Sequence, residues 1–294
     1  MKKDFSKGLL LTSIGSFWWG FIGVLYFEYV SFIGHIELVV HRCLWTAVML
    51  ILTTTFFSKW KIFFHIISNK KNLIYLFISG FLIFINWTIW IYAVATERII
   101  DASFGYFIMP ILSVFFGILF LKEKYNKQKI ISVALVIISI IYLLFNYASV
   151  PWVGLIVGIT WSLYSFLRKL IDVDSDIGLF IESLFISPFA LIIFYIITLD
   201  GNYYFSFTNP QIAFWLFLAG PMTVIPLFLF LKGVYLAGLG TSGMIFFIAP
   251  SGQFLLGIFY YNEYFDFNKL IGFIIIWIAV AIYLHDLSRE KIRN

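Results

Sequence analysis

The stretch Ala102–Leu121, ASFGYFIMPILSVFFGILFL, is a 20-residue apolar run with a proline in its middle. A helix of about 20 apolar residues crosses a bilayer. Pro110 has no N–H, so the carbonyl of Tyr106, one turn earlier, loses its helical partner. Inside lipid, a freed carbonyl is tolerable only against protein or a polar cavity. The pattern returns 140 residues later, where MIFFIAPSGQFLLGIFYY places Pro250 at the matching position. Without a gap, Phe107/Phe247, Ile108/Ile248, Gly117/Gly257, Glu123/Glu263, Lys129/Lys269 and Ile131/Ile271 are identical pairs, and Gly80/Gly220 extends the match upstream. Proline-interrupted spans at matching places in two halves point to the central site of a transporter.

The surrounding chain fits a membrane. Only 12% of its residues are charged and 62% are hydrophobic, against about 25% charged in soluble domains. The single cysteine, Cys43, lies inside an apolar run, which excludes a disulfide framework or a thiol metal site. The basic start Met1–Lys7 precedes an apolar run with no small-residue cleavage site, so an uncleaved first span is expected. Ten spans are expected, near 8–27, 35–57, 73–95, 102–121, 129–147, 151–170, 177–199, 211–232, 241–261 and 269–287. The linkers are short. The repeat divides the chain into residues 1–147 and 148–294, with the junction near Asn146–Pro151.

Charge placement gives an orientation. With the N-terminus inside, only Arg98 and Lys269 of the 20 Lys and Arg residues fall in outer loops, and Arg42 falls within a span. Both termini are then cytoplasmic, and the net charge of +5 reflects inner loops rather than a nucleic-acid surface. Each half has an odd number of spans, so the second half enters the membrane in the opposite sense. The expected fold is all-α, with two inverted five-helix repeats related by an axis in the membrane plane. Pro110 and Pro250 then lie roughly 12–14 Å from their entry faces, near the midplane. Symmetric helix breaks at that depth suit alternating access.

Polar groups inside spans are costly and mark candidate sites. GHIELVVHRCLW holds Glu37 and His41 on one helix face, four residues apart, followed by Arg42. Arg42 would lie roughly 10 Å below the outer surface. Glu37 and Arg42 are near enough to the interface to snorkel or to pair structurally; the functional alternative is substrate binding or proton coupling. Glu182, 145 residues after Glu37, either contacts substrate or pairs with Arg168 or Lys169. Asn86, beside Trp87, either bonds a neighbouring helix or meets a ligand. Trp18 and Trp19 are too deep for an interfacial belt, and Trp19 lines a cavity or fills the core. Tyr106 and Tyr164 are also deep, where a hydroxyl needs a partner. DVDSD at 172–176 lacks the glycine and terminal glutamate of a calcium loop. The chain carries no Walker loop, HExxH or Cys/His cluster. Uphill movement would draw on an ion gradient or solute exchange.

The runs FWWGF, IELVVHRCLW, INWTIWIYAV, DASFGYFIMPILSVFFGILFLKEK, SLYSFLRKL, GLFIESL and the closing AP with YNE resemble the EamA/RarD branch of the drug/metabolite transporter superfamily. The resemblance spans nearly the whole chain. It implies a ten-helix inner-membrane permease that exports or facilitates small metabolites. The group's recurrent positions fall on Glu37, His41, Arg42, Asn86, Trp87, Gly105, Tyr106, Pro110, Tyr164, Arg168, Glu182 and Pro250. Two places depart from it: Glu28, where relatives tend to be basic, and IFFIAP, where a glutamine would be expected near position 246.

The expected activity is secondary transport of a small organic metabolite or drug-like solute, without a cofactor or resident metal. The expected partners are that solute, the lipid bilayer and a proton or exchange solute, in a monomer or homodimer. Trp19, Trp87, Tyr106 and Tyr164 would form aromatic walls, Pro110 and Pro250 would open the cavity, and Glu37, His41, Arg42 and Glu182 would handle charge. Two other classes compete. One is a membrane scaffold or sensor, against which the lack of a soluble output domain argues. The other is a membrane-embedded enzyme using His41 and Glu37 as an acid/base pair, for which no nucleophile or metal partner sits at motif spacing.

Overall fold

A computed structural model of the chain describes residues 2–96, 98–123, 125–146, 152–171, 173–201, 203–206, 208–262 and 267–293. Regular structure among them is helical throughout. The expected junction at Asn146–Pro151 and the repeat residue Glu263 fall largely outside the described residues.

The first helix, α1 (Lys2–Phe17), passes through a π turn at Trp18–Ile22 into α2 (Gly23–Tyr29). It is followed by α3 (His35–Phe56), a short α4 (Trp60–Ile67), α5 (Lys70–Ala95), α6 (Ile99–Leu119) and α7 (Lys127–Asn146). The second half comprises α8 (Trp152–Leu170), α9 (Ser175–Leu199), α10 (Pro210–Ala237), α11 (Leu239–Ile245), α12 (Ile248–Phe259) and α13 (Phe267–Arg293). Eight helical stretches among the described residues are long and apolar enough to cross a membrane, accompanied by two shorter apolar ones, Ile108–Leu119 and Leu270–Asp286.

Local chemistry sets several helix starts. Asn69 Oδ1 accepts the N–H groups of Lys71 (3.0 Å) and Asn72 (3.3 Å) at the head of α5. Asn209 does the same for Ile212 at 3.3 Å, and Pro210 supplies the pre-set φ of a first helical residue. Glu123 reaches from the α6–α7 link to the N-terminus of α11, where its carboxylate accepts the N–H of Leu239 (2.8 Å) and Gly240 (3.2 Å).

The structure departs from the sequence expectation in two places. The link after α3 is helical: α4 buries Phe63 and Ile66 and sets Trp60 and Phe63 against Phe180 of α9. The two prolines also differ in effect. Pro250 sits in the first turn of α12, after a break at Phe246–Phe247, and the carbonyl it frees on Phe246 accepts the Ala249 N–H at 2.9 Å in a tighter turn. Pro110 lies within α6, which continues through it unbroken. The symmetric breaks expected at both prolines are therefore replaced by one break and one uninterrupted helix. Both prolines are buried in protein rather than turned to lipid.

Packing runs across the two sequence halves. α1 lies against α10, α3 against α9 and α10, α5 against α8 and α9, and α6 against α8, α11 and α12. α7 pairs with α13 and shares a smaller apolar core with α6 and α12, built on Val136, Ile140, Phe254 and Phe273. Lipid offers no hydrophobic force between helices, so close backbone approach at small residues governs such contacts. A Cβ on Gly105 would lie 1.7 Å from the Gly154 carbonyl oxygen, and one on Gly158 would lie 2.1 Å from the Gly105 oxygen. On the other side of the bundle, a Cβ on Gly20 in the π turn would meet the Cα and carbonyl oxygen of Ala249 at 3.0 Å.

Substituting alanine at Gly105 or Gly158 must push α6 and α8 apart. Each change is expected to cost about 1–3 kcal/mol, read as a lower Tm in detergent. Gly80→Ala meets only ordinary contacts at 3.4 Å or more and should leave the Tm close to wild type.

Candidate functional site

The π turn in the first span, the middles of α5 and α8, and the break before α12 converge at the centre of the bundle. Trp19 and Trp161 meet edge to face with ring centroids 4.9 Å apart. Phe246 stacks on Trp161 at 5.4 Å, and Tyr106 meets Phe246 at 5.3 Å. Tyr106 and Phe246 are each four residues before a proline and are 140 positions apart, so the repeat brings its own counterparts into contact. They are the two residues whose carbonyls the prolines free. Pro110 and Pro250 themselves stand one turn behind this aromatic layer.

These four rings close one side of a small cavity. Arg42, Asn86, Trp87 and Trp90 close the other. The space admits about one water molecule. Trp90 follows Asn86 by four residues and so shares its helix face.

The charge in this wall is Arg42, which is 3% exposed. Its guanidinium carbon stands 4.9 Å from the ring centre of Phe27, 4.6 Å from Trp87 and 5.8 Å from Trp90. No hydrogen-bond acceptor among the described residues meets its Nε or Nη1. A cation over an aromatic face gains about 0.5–2 kcal/mol, whereas a buried ion costs several kcal/mol even after relaxation. The rings offset part of that cost and leave N–H donors unused.

Neither Glu182 nor Glu37 neutralises it. Glu182 on α9 forms its own buried network: Arg168 Nη1 lies 3.0 Å from Oε1, Ser79 donates to Oε1, and the Tyr164 hydroxyl donates to Oε2 at 3.2 Å. The Arg168 N–H vectors miss the carboxylate oxygen, so the contact is a close ion pair rather than an aligned hydrogen bond. The guanidinium packs closely over Gly178, where a Cβ would lie 2.4 Å from Nη1 and would displace it from this position. Glu37 accepts the backbone N–H groups of Tyr204 (3.0 Å) and Phe205 (2.9 Å), tying down the α9–α10 link. His41 Nε2 is 3.6 Å from Glu37 Oε1, and its ring sits between Phe194 and Phe205. The Asn86 amide nitrogen donates to the Val157 carbonyl (2.8 Å) and to Thr160 Oγ1 (3.1 Å), both on α8.

Of the residues expected at a site, Trp19, Arg42, Asn86, Trp87 and Tyr106 share the cavity. Glu182 and Tyr164 belong to the Arg168 network, and Glu37 with His41 to the loop anchor. Trp90 and Trp161 were not singled out in the sequence, and Phe246 only as a departure from the resemblance. Trp90 carried a signal in its i+4 spacing from Asn86, and Phe246 in its repeat match to Tyr106. Gln253, fully buried on α12, has no hydrogen-bond partner for either amide atom among the described residues.

Comparison with known proteins agrees with this architecture. Residues 6–145 match the family model described as the EamA-like transporter family. The chain is 34% identical to the uncharacterized transporter YojE of Bacillus subtilis (strain 168), over 97% of this chain and 96% of that protein. It is 28% identical to Protein RarD of Escherichia coli (strain K12), over 97% and 96% respectively. A solved crystal structure shares the fold with a TM-score of 0.61, at 14% identity, over 95% of this chain and 97% of the other.

The two buried arginines should respond oppositely to neutralisation. Arg168→Gln strands the Glu182 charge and is expected to cost about 3–5 kcal/mol; adding Glu182→Gln should recover most of that loss. Arg42→Gln removes a charge with no carboxylate partner and should leave the Tm in detergent unchanged or raised.

Proposed function

We propose that this chain, which belongs to the EamA-like transporter family, is a secondary transporter that carries a small organic solute across the cytoplasmic membrane by alternating access. Multiple apolar membrane-crossing helices and transporter relatives place it in a membrane. The finer reading is a ten-span protein of two inverted halves, residues 1–147 and 148–294, with both termini in the cytoplasm.

The observation that carries this reading is the aromatic layer between the halves. Trp19 and Tyr106 come from the first half, and Trp161 and Phe246 from the second. The order of packing supports the inverted repeat. If the first through fifth spans exchange with the sixth through tenth, the contact of α1 with α10 maps onto that of α8 with α5. The contact of α3 with α10 maps onto that of α9 with α5, and the pairs α3–α9 and α7–α13 map onto themselves.

In this reading the halves rock about α3–α9 and α7–α13. Parting Trp19 from Trp161 and Tyr106 from Phe246 would open the cavity to one face, then to the other. The break before Pro250 supplies a hinge, and the π turn at Trp18–Ile22 a second irregular segment opposite it. A solute bound between the layers would displace the water-sized void and be handed across without a continuous pore.

Flux of a metabolite library into proteoliposomes, with and without a pH gradient, tests the reading; absence of flux for every candidate in well-folded vesicles would overturn it. Topology has its own check. Cys43 is 1% exposed, so an impermeant maleimide should report only introduced thiols. Lys71→Cys is expected to label only from the cytoplasmic side and Thr208→Cys only from outside.

A further inference from the structure

We infer that the solute this cavity takes is an organic anion, a carboxylate on a flat apolar body, with the carboxylate read by Arg42. The inference rests on the transporter reading and narrows it to a substrate class.

Three observations carry it. First, the unpartnered buried side-chain atoms of the cavity residues are all N–H donors: Arg42 Nε and Nη1, Trp87 Nε1 and Trp161 Nε1. A site that offers donors selects a ligand that brings acceptors. Second, among the described residues the cavity wall contains a guanidinium and no carboxylate. Glu182 is held by Arg168, Ser79 and Tyr164, and Glu37 by the backbone of Tyr204 and Phe205. An ammonium group would meet the Arg42 charge with no acid to offset it, which disfavours both cations and zwitterions. Third, the remaining wall is aromatic. Trp19, Trp161 and Phe246 present faces and edges on which a planar body can lie.

The guanidinium is suited to the task. Its carbon stands over the Trp87 ring at 4.6 Å and the Phe27 ring at 4.9 Å, contacts that hold the group in place before a ligand arrives. A planar fork matches a carboxylate with two parallel hydrogen bonds, which a lysine cannot reproduce. The ion pair then formed in a low-dielectric site replaces the missing counter-charge.

The test uses the purified full chain in detergent, with tryptophan fluorescence as the readout, since Trp19, Trp87, Trp90 and Trp161 surround the site. Phenylacetate, phenylacetamide, phenethylammonium, phenylalanine and chloride are titrated at equal ionic strength. Phenylacetate is expected to give a saturable change, with the uncharged amide, the amine and the amino acid at least tenfold weaker and chloride without effect. Arg42→Gln should bring acid and amide to equal affinity, and Arg42→Lys should restore part of the preference; size-exclusion profile and Tm establish that each variant is folded. The inference is overturned if the amide, amine or amino acid binds as well as the acid, or if chloride alone reproduces the change. It is also overturned if Arg42→Gln keeps the preference, or if phenylacetate, benzoate and indole-3-acetate all fail to bind. Anion-selective binding without flux would leave this assignment standing and remove the transporter reading. Flux of cations or zwitterions but not of anions would do the reverse.

Discussion

Two backbones touching where no side chain intervenes is the contact on which this fold depends. Water cannot drive helices together inside lipid, so they associate through van der Waals contact at small residues. α6 and α8 meet at Gly105, Gly154 and Gly158, and the π turn of the first span meets α12 at Gly20 and Ala249. Each contact joins one sequence half to the other. Together they bring Trp19, Tyr106, Trp161 and Phe246 within ring contact and fix the distance across the cavity. Bulk at either crossing would be felt first at the site.

Against that frame, the two buried arginines show how differently one residue type can be used. Arg168 meets Glu182 and extends to the Ser175 carbonyl at 3.2 Å, forming a network of charge and hydrogen bonds between α8 and α9. Removing one member leaves the other stranded. Arg42 is placed among Phe27, Trp87 and Trp90, which contribute attraction but no acceptor. A stabilising role would have been served by a carboxylate nearby. Glu37 is only five residues away on the same helix, and it is committed to a loop. Among the described residues no acid pairs with this charge, and holding it in a membrane sacrifices stability, a cost for which the anion-binding role proposed above would account.

The membrane class and most helix positions were legible because hydropathy over about 20 residues is a strong signal. The internal sequence match was legible because Pro110 and Pro250 hold a fixed spacing with Gly117 and Gly257. What happens at each proline was not. Pro110 leaves α6 continuous, whereas Pro250 stands at the head of a new helix after two residues of irregular turn. That difference arises from tertiary packing around chemically similar stretches. The helix α4 was missed because eight residues, WKIFFHII, are too few to establish a period, and burial of Phe63 against Phe180 decides the matter. Five residues that line the cavity, Trp19, Arg42, Asn86, Trp87 and Tyr106, could be picked out as deep polar or aromatic groups. Which acid would pair with which base could not, because Glu37 meets residues 204–205 and Glu182 meets Ser79 and Arg168 through contacts far apart in the chain.

The cavity's size has a thermodynamic consequence. With room for about one water between its walls, the conformation described is one that no organic solute can occupy. The apparent Kd measured from outside is therefore the intrinsic Kd divided by the fraction of molecules that have already sprung open. A substitution that shaves a ring from the aromatic layer could tighten apparent binding by enlarging that fraction. The same change would slow the return to the shut form, on which turnover also depends.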